Sequence, residues 1–174
     1  MLVILSVQQK YIMDILRKMG YVRRGQVQAL VRGKFPEIEI SDLRMDTMLR
    51  QLRHATTDVR IDNNAIWLGD AKPDLRRLEA ADIMLELTEG RLLDFSTTVK
   101  TPEILRFTLE GGSLRLFTVA TISDLLHTSV QARDSPGRVV WISDSGTAPP
   151  GLTLPPKHFF AARQPDGSHR FYGS

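Results

Sequence analysis

Apolar positions in the first seventy residues recur at helical spacing in three stretches and then change to a strand-like alternation. Tyr11, Ile12, Ile15, Leu16 and Met19 share one helical face. Ser6 precedes them with Gln9 three residues on, the spacing of a capping box in which hydroxyl and amide satisfy free backbone donors of the first turn. Gly20 supplies the left-handed stop. A second helix is predicted from about Arg24 to Val31, burying Val27, Leu30 and Val31, with Gly33 and Pro36 opposing its continuation. The third begins at Ser41 or Asp42, either a good N-cap, and sets Met45, Met48, Leu49 and Leu52 on one face. From Asp58 to Leu68, β-branched and aromatic residues surround Asp62-Asn63-Asn64, which predicts a β-hairpin because Asn and Asp tolerate tight-turn conformations.

In the second half, Lys72-Pro73-Asp74 opens a longer helix to about Thr88. Leu75, Leu78, Ala81 and Leu85 form its expected packing stripe, and Gly90 is its stop. Leu92–Thr98 is a short strand-like run. Ile104–Leu109 and Leu114–Val119 flank Glu110-Gly111-Gly112-Ser113, a hairpin signal. In the second arm the alternation permits burial of Leu114, Leu116 and Thr118, or else of Phe117 and Val119. A helix from about Ser123 to Ala132 leads to Arg138–Ser143, an almost continuous apolar run suited to a central strand. Gln164-Pro165-Asp166-Gly167 then joins His158–Ala162 to Ser168–Tyr172 as another hairpin, while Ser145–Pro156 has the Gly, Pro and Ser content of a connector. No run approaches the roughly 18 apolar residues of a membrane span. Met1–Leu5 lacks the basic flank of a signal peptide, so a cytoplasmic protein with no membrane partner is expected.

A chain of 174 residues with 42% hydrophobic and 25% charged side chains suits one domain or two small ones, and the pattern divides it into residues 1–70 and 71–174. Cys is absent, which excludes disulfides, thiol nucleophiles and cysteine-bearing metal sites. The net charge of +3 conceals an asymmetry. Residues 1–60 carry 11 Lys/Arg against 6 Asp/Glu, residues 61–130 carry 7 against 11, and residues 131–174 carry 5 against 3. A basic front followed by an acidic middle points to an anionic partner for the first module.

Three helices followed by a hairpin are the order of a winged helix-turn-helix, whose third helix enters a major groove about 12 Å wide while the hairpin meets backbone or minor groove. On the third helix, Thr47, Arg50, Gln51 and His54 point away from the apolar stripe, and Arg44 and Arg53 flank it. Arg50 and Gln51 have the donors and acceptors to read guanine and adenine edges, and Thr47 can meet a thymine methyl or a phosphate. Arg44 and Arg53 suit phosphates. Arg23 and Arg24 stand where a second-helix N-terminus would clamp phosphate, and Arg60 lies on the first arm of the hairpin. Double-stranded DNA is therefore the expected partner.

For catalysis, the second half has the order helix, three strands, helix and strand, which resembles a restriction-endonuclease-like core. Such a core cleaves with an Asp on one strand and an acid two positions before a Lys on the next, the carboxylates holding Mg²⁺. Leu114–Val119 has no acid, Glu110 falls in the turn, and Asp94 stands alone. His54, His127, His158 and His169 form no helical metal-ligand spacing, no glycine-rich phosphate loop precedes a helix, and Ser143-Asp144-Ser145-Gly146 has no partnered His at a recognisable spacing. The expectation is a binding protein rather than an enzyme, with no cofactor and no metal.

Across Tyr21–Trp67, Leu78–Leu87, Leu105–Val119, Arg138–Ser143 and Phe159–Tyr172, the hydrophobic pattern resembles a bacterial family associated with conjugative and other mobile elements, itself similar to the replication-relaxation proteins of plasmids and transposons. The resemblance implies an α+β protein: an N-terminal winged helix-turn-helix followed by a small α/β domain like a degenerate endonuclease core. It implies a role in replication, transfer or transcriptional control of the element, and supplies no catalytic residues. The second domain is then expected to serve homodimerisation or recruitment of a replication or mobilisation protein. The alternative is an adaptor that docks such a protein through the winged helix and the C-terminal hairpin.

Overall fold

A computed structural model describes residues 3–123 and 137–173 of the chain, so the helix expected from Ser123 to Ala132 falls, but for its first residue, outside the described residues. The fold is mixed α+β, and the chain divides into two compact units, residues 1–78 and 79–174.

In the first unit, α1 (Val7–Met19) starts from the capping box that its sequence announces. Ser6 Oγ accepts from the Gln9 N–H at 3.2 Å, and Gln9 Oε1 accepts from the Ser6 N–H at 2.9 Å. Gly20, at φ 73°, closes the helix with its N–H on the Leu16 carbonyl. Ser6→Ala removes the hydroxyl half of this box, and urea titration is expected to show a loss of about 1 kcal/mol. An unchanged midpoint would mean that solvent serves the Gln9 N–H equally well.

Helix α2 (Arg24–Lys34) runs through Gly33, beyond the expected end at Val31. One interior Gly costs only about 1 kcal/mol. Pro36 is the stronger stop, since it disfavours helical backbone at Phe35, which sits at φ −125° and ψ 62°. Helix α3 (Asp42–Ala55) is capped by Ser41, whose hydroxyl accepts from the Arg44 N–H at 3.1 Å. Strands β2 (Val59–Ile61) and β3 (Ala65–Leu68) form the expected hairpin. Its turn is tied by Asp62 Oδ1, which accepts from the N–H groups of Asn64 at 2.8 Å and Ala65 at 2.7 Å.

The sequence pattern does not reveal β1 (Tyr21–Arg23), which is too short for alternation and pairs along the other edge of β3, giving the order β1-β3-β2. Val22 and Ile66 are fully buried with Leu16, Val27, Met45 and Leu52 in the core of this unit. Pro73 precedes the N-cap of α4 (Leu75–Thr88), which is Asp74: its Oδ1 accepts from the Arg77 N–H at 3.1 Å.

The second unit is built on a six-stranded mixed sheet, β4-β5-β6-β7-β8-β9, comprising Leu92–Ser96, Glu103–Leu109, Arg115–Thr121, Arg138–Ile142, His158–Arg163 and His169–Gly173. Strands β6, β7 and β8 are parallel, and the flanking pairs are antiparallel. Both burial patterns proposed for the β6 arm are incomplete. Phe117 and Val119 are buried, but so are Thr118 and Ala120, whereas Leu114 is 69% exposed. The arm is open at its start and covered on both faces from Phe117 onward.

Phe107 stacks on Phe117 at 5.0 Å, in register with Phe95 on β4. On the opposite face Ala120, Val139, Trp141 and Phe160 pack beneath Leu152 and Leu154 of the connector. Gly137 opens β7 where any Cβ would lie 2.6 Å from the Leu116 carbonyl oxygen, a contact that only glycine avoids.

The expected α4 stripe needs correction: Leu75 is 72% exposed and Leu85 half-buried, while Ala80, Ile83 and Met84 join Leu78 and Ala81 in being buried. Among the described residues, no helix is long and apolar enough to cross a membrane.

Candidate nucleic-acid interface

Helix α3 has the two faces that its sequence predicts. Met45, Met48, Leu49 and Leu52 are buried, and Arg44, Thr47, Arg50, Gln51, Arg53 and His54 are exposed. Between α3 and the β2–β3 turn lies an open cleft of about 280 Å³, whose rim carries Arg50 and Arg53 from the helix and Asp62 and Asn63 from the turn. At the Arg24 side of this cleft, Arg24 forms an ion pair with Asp46 and donates through Nη1 to the Asp62 carbonyl at 3.3 Å. That ion pair neutralises Arg24 and fixes it between α2, α3 and the turn.

The remaining predicted side chains divide by what already holds them. Gln51 Oε1 accepts from Gln9 Nε2 at 3.2 Å, a donor that also reaches the Met48 carbonyl at 3.2 Å, so this side chain joins α3 to α1. Thr47 Oγ1 donates to the Leu43 carbonyl one turn back at 2.9 Å, and Arg44 Nη1 donates to the Glu39 carbonyl at 3.2 Å. Arg23 is the N-cap residue of α2, and its own N–H donates to Gln26 Oε1 at 3.1 Å.

Arg60 is exposed on β2, opposite Trp67 and on the other face of the strand from Ile61, whose side chain lines the cleft. The structure therefore brings Arg24, Arg50 and Arg53 together in one cleft and leaves Arg23, Arg44, Thr47, Gln51 and Arg60 outside its lining. Arg50, Arg53 and Arg60 have no hydrogen bond or ion pair among the described residues. An unpaired guanidinium with five donors is the group best suited to a phosphate or a guanine edge.

In the second unit the titratable groups meet elsewhere than the sequence suggests. Arg163 on β8 grips both oxygens of Glu79 on α4, its Nε donating at 3.0 Å. His169 on β9 lies between two carboxylates, with Nε2 at 3.1 Å from Glu79 and Nδ1 at 2.8 Å from Glu86. Its backbone N–H donates to the other Glu86 oxygen at 3.0 Å. Burial alone would lower the His169 pKa, but the hydrogen bonds and charges of Glu79 and Glu86 outweigh it and raise the value above 6.5. Burial would likewise raise Glu79, but hydrogen bonds from His169 and Arg163 hold it below 4.5.

This constellation escaped sequence reasoning because its members are separated by up to 90 positions. Its only local signal is the seven-residue spacing of Glu79 and Glu86, which places both on one helical face. His158 is buried and accepts from Trp141 Nε1 at 3.0 Å, a satisfied core histidine. His127 lies outside the described residues. Among the described residues no group of three His, Asp or Glu is placed to hold a metal ion. Comparison with family models, curated proteins and solved structures finds no match to this chain.

Proposed function

We propose that the first unit is a winged helix-turn-helix that binds double-stranded DNA, with α3 in the major groove and the β2–β3 turn against the backbone. The observation that carries this reading is the pair of exposed arginines, Arg50 and Arg53, unpartnered among the described residues, on the rim of the α3–turn cleft, where Arg24 is neutralised and the Gln51 oxygen is hydrogen-bonded. Its support from topology is the order α1, β1, α2, α3, β2, β3 with the hairpin directly after α3.

In this reading the second unit, which has no acidic residue on β6, serves dimerisation or recruitment of a replication or mobilisation protein rather than cleavage. A setting in a mobile element rests on the resemblance in hydrophobic pattern. Mobility shift of the intact chain with duplex DNA tests the core claim. Affinity is expected to fall at least about tenfold between ~50 and ~200 mM salt as phosphate contacts release counterions. Binding that ignores salt, or no binding at the lowest salt, would falsify the DNA reading.

A further inference from the structure

The outer stripe of α3 has a chemical order that the DNA reading alone does not specify. Leu43, Thr47, Arg50 and His54 follow one another at four-, three- and four-residue steps and so lie along one exposed line of the helix. Leu43 is 73% exposed in the first turn, the end of a recognition helix that meets base edges. It has no hydrogen-bonding group to offer. Thr47 follows it, and its hydroxyl proton is spent on the Leu43 carbonyl at 2.9 Å, which leaves a methyl group and lone pairs. The amide of Gln51, the side chain on this face most able to recognise adenine, is held by Gln9. Arg50 is the next member of the line and is unpartnered among the described residues. Along this stripe apolar carbon thus leads into a single free guanidinium.

Major-groove edges distinguish thymine by its C5-methyl group and guanine by its paired O6 and N7 acceptors. We propose that Leu43 and Thr47 form an apolar step that selects thymine methyl groups beside a guanine read by Arg50. The inference rests on the reading of the first unit as a DNA-binding module and deepens it by naming the bases. An exposed leucine at the front of the recognition stripe then has a ligand, and the contacts within the protein commit the Thr47 hydroxyl proton and the Gln51 amide oxygen, the acceptor that paired recognition of adenine needs.

The test uses the intact chain and duplexes that it enriches from a randomised library, resynthesised with deoxyuridine for thymidine so that only methyl groups are lost. Affinity at fixed salt is expected to fall about 3- to 5-fold per contacted methyl. Leu43→Ala is expected to fold normally and to bind thymidine and deoxyuridine duplexes alike. Arg50→Ala is expected to keep the methyl preference while losing the guanine preference. Equal affinity of the parent chain for both duplexes overturns the proposal, as does a library that yields no preferred sequence although salt-dependent binding persists. Retained methyl discrimination in Leu43→Ala also overturns it. If Leu43→Ala instead changes the sedimentation of the free protein, Leu43 is a self-contact and the assignment fails. Absence of any duplex binding sinks the DNA reading itself, an outcome separate from these.

Discussion

Replacing Arg50 and Arg53 together by alanine is expected to lower affinity for duplex DNA about 100-fold at moderate salt without changing the stability of the protein. Both side chains are exposed and make no hydrogen bond or ion pair among the described residues, so the folded chain loses no internal contact when they go. Their contributions should separate by kind. Arg50 lies on the stripe proposed to face base edges, where a bidentate contact to guanine would contribute about 1–3 kcal/mol and specify one position. Arg53 lines the same cleft but stands off that stripe, a placement suited to phosphate. Its loss should weaken all sequences alike and reduce the slope of log K against log salt by about one. Fluorescence anisotropy over a salt series measures both.

Gln51→Ala is the informative control. Its amide partner Gln9 keeps the Met48 carbonyl, so affinity should change by no more than about twofold and stability should fall by about 1 kcal/mol or less. If Gln51→Ala weakens binding as much as Arg50→Ala, the division between base-reading and structural side chains on α3 is wrong.

That division marks the limit of what the sequence discloses. Periodicity locates the helices of the first unit because each buries one continuous stripe against a common core, and the Asp62 turn is legible because its chemistry is local. The exposed face of α3 is likewise read correctly as a face. Which of the predicted contact residues on α3 and at the start of α2 are free is decided by partners that periodicity cannot supply: Gln9 for the Gln51 oxygen, Asp46 for Arg24, and the Leu43 carbonyl for Thr47.

Strand β1 is hidden for a related reason. Its three residues gain their structure from pairing with β3, some forty-five positions away, rather than from any pattern of their own. In α4, placing Leu75 in the packing stripe assumes that the helix is buried from its first turn. Leu75 is in fact exposed, and burial begins at Leu78 and includes the short side chains of Ala80 and Ala81, which a search for large apolar residues passes over. The alternation in β6 fails where coverage changes from one face to two along a single strand.

Glu79→Gln is expected to destabilise the second unit by about 2–3 kcal/mol, and the cluster around it should make stability depend on pH in a defined direction. Removing one member of a buried ion pair leaves its partners without their charge. Here Arg163 is 46% exposed and can rehydrate, so the loss should fall below that of a fully enclosed pair, whereas His169 is 1% exposed and cannot. An ionised carboxylate only accepts hydrogen bonds. His169 faces Glu86 with one ring nitrogen and Glu79 with the other, so both nitrogens must carry protons for both contacts to hold. The imidazolium then balances two carboxylates jointly with Arg163.

Since the folded pKa of His169 lies above 6.5, its contribution is complete below that unfolded value and is lost as pH rises through the folded one. Glu79, held below 4.5, contributes fully above that value and loses its contribution as pH falls through its folded pKa. The two limbs leave the cluster at full strength between about pH 4.5 and 6.5. Urea unfolding followed from pH 5 to 9 should show stability falling on the alkaline side, and His169→Gln should remove that fall, because a neutral amide has no proton to lose. A parent chain whose stability is flat over this range would show that folding does not raise the His169 pKa, and a His169→Gln chain with the same slope would assign the fall to other groups; stability that rises with pH would show that the imidazole is neutral in the folded state.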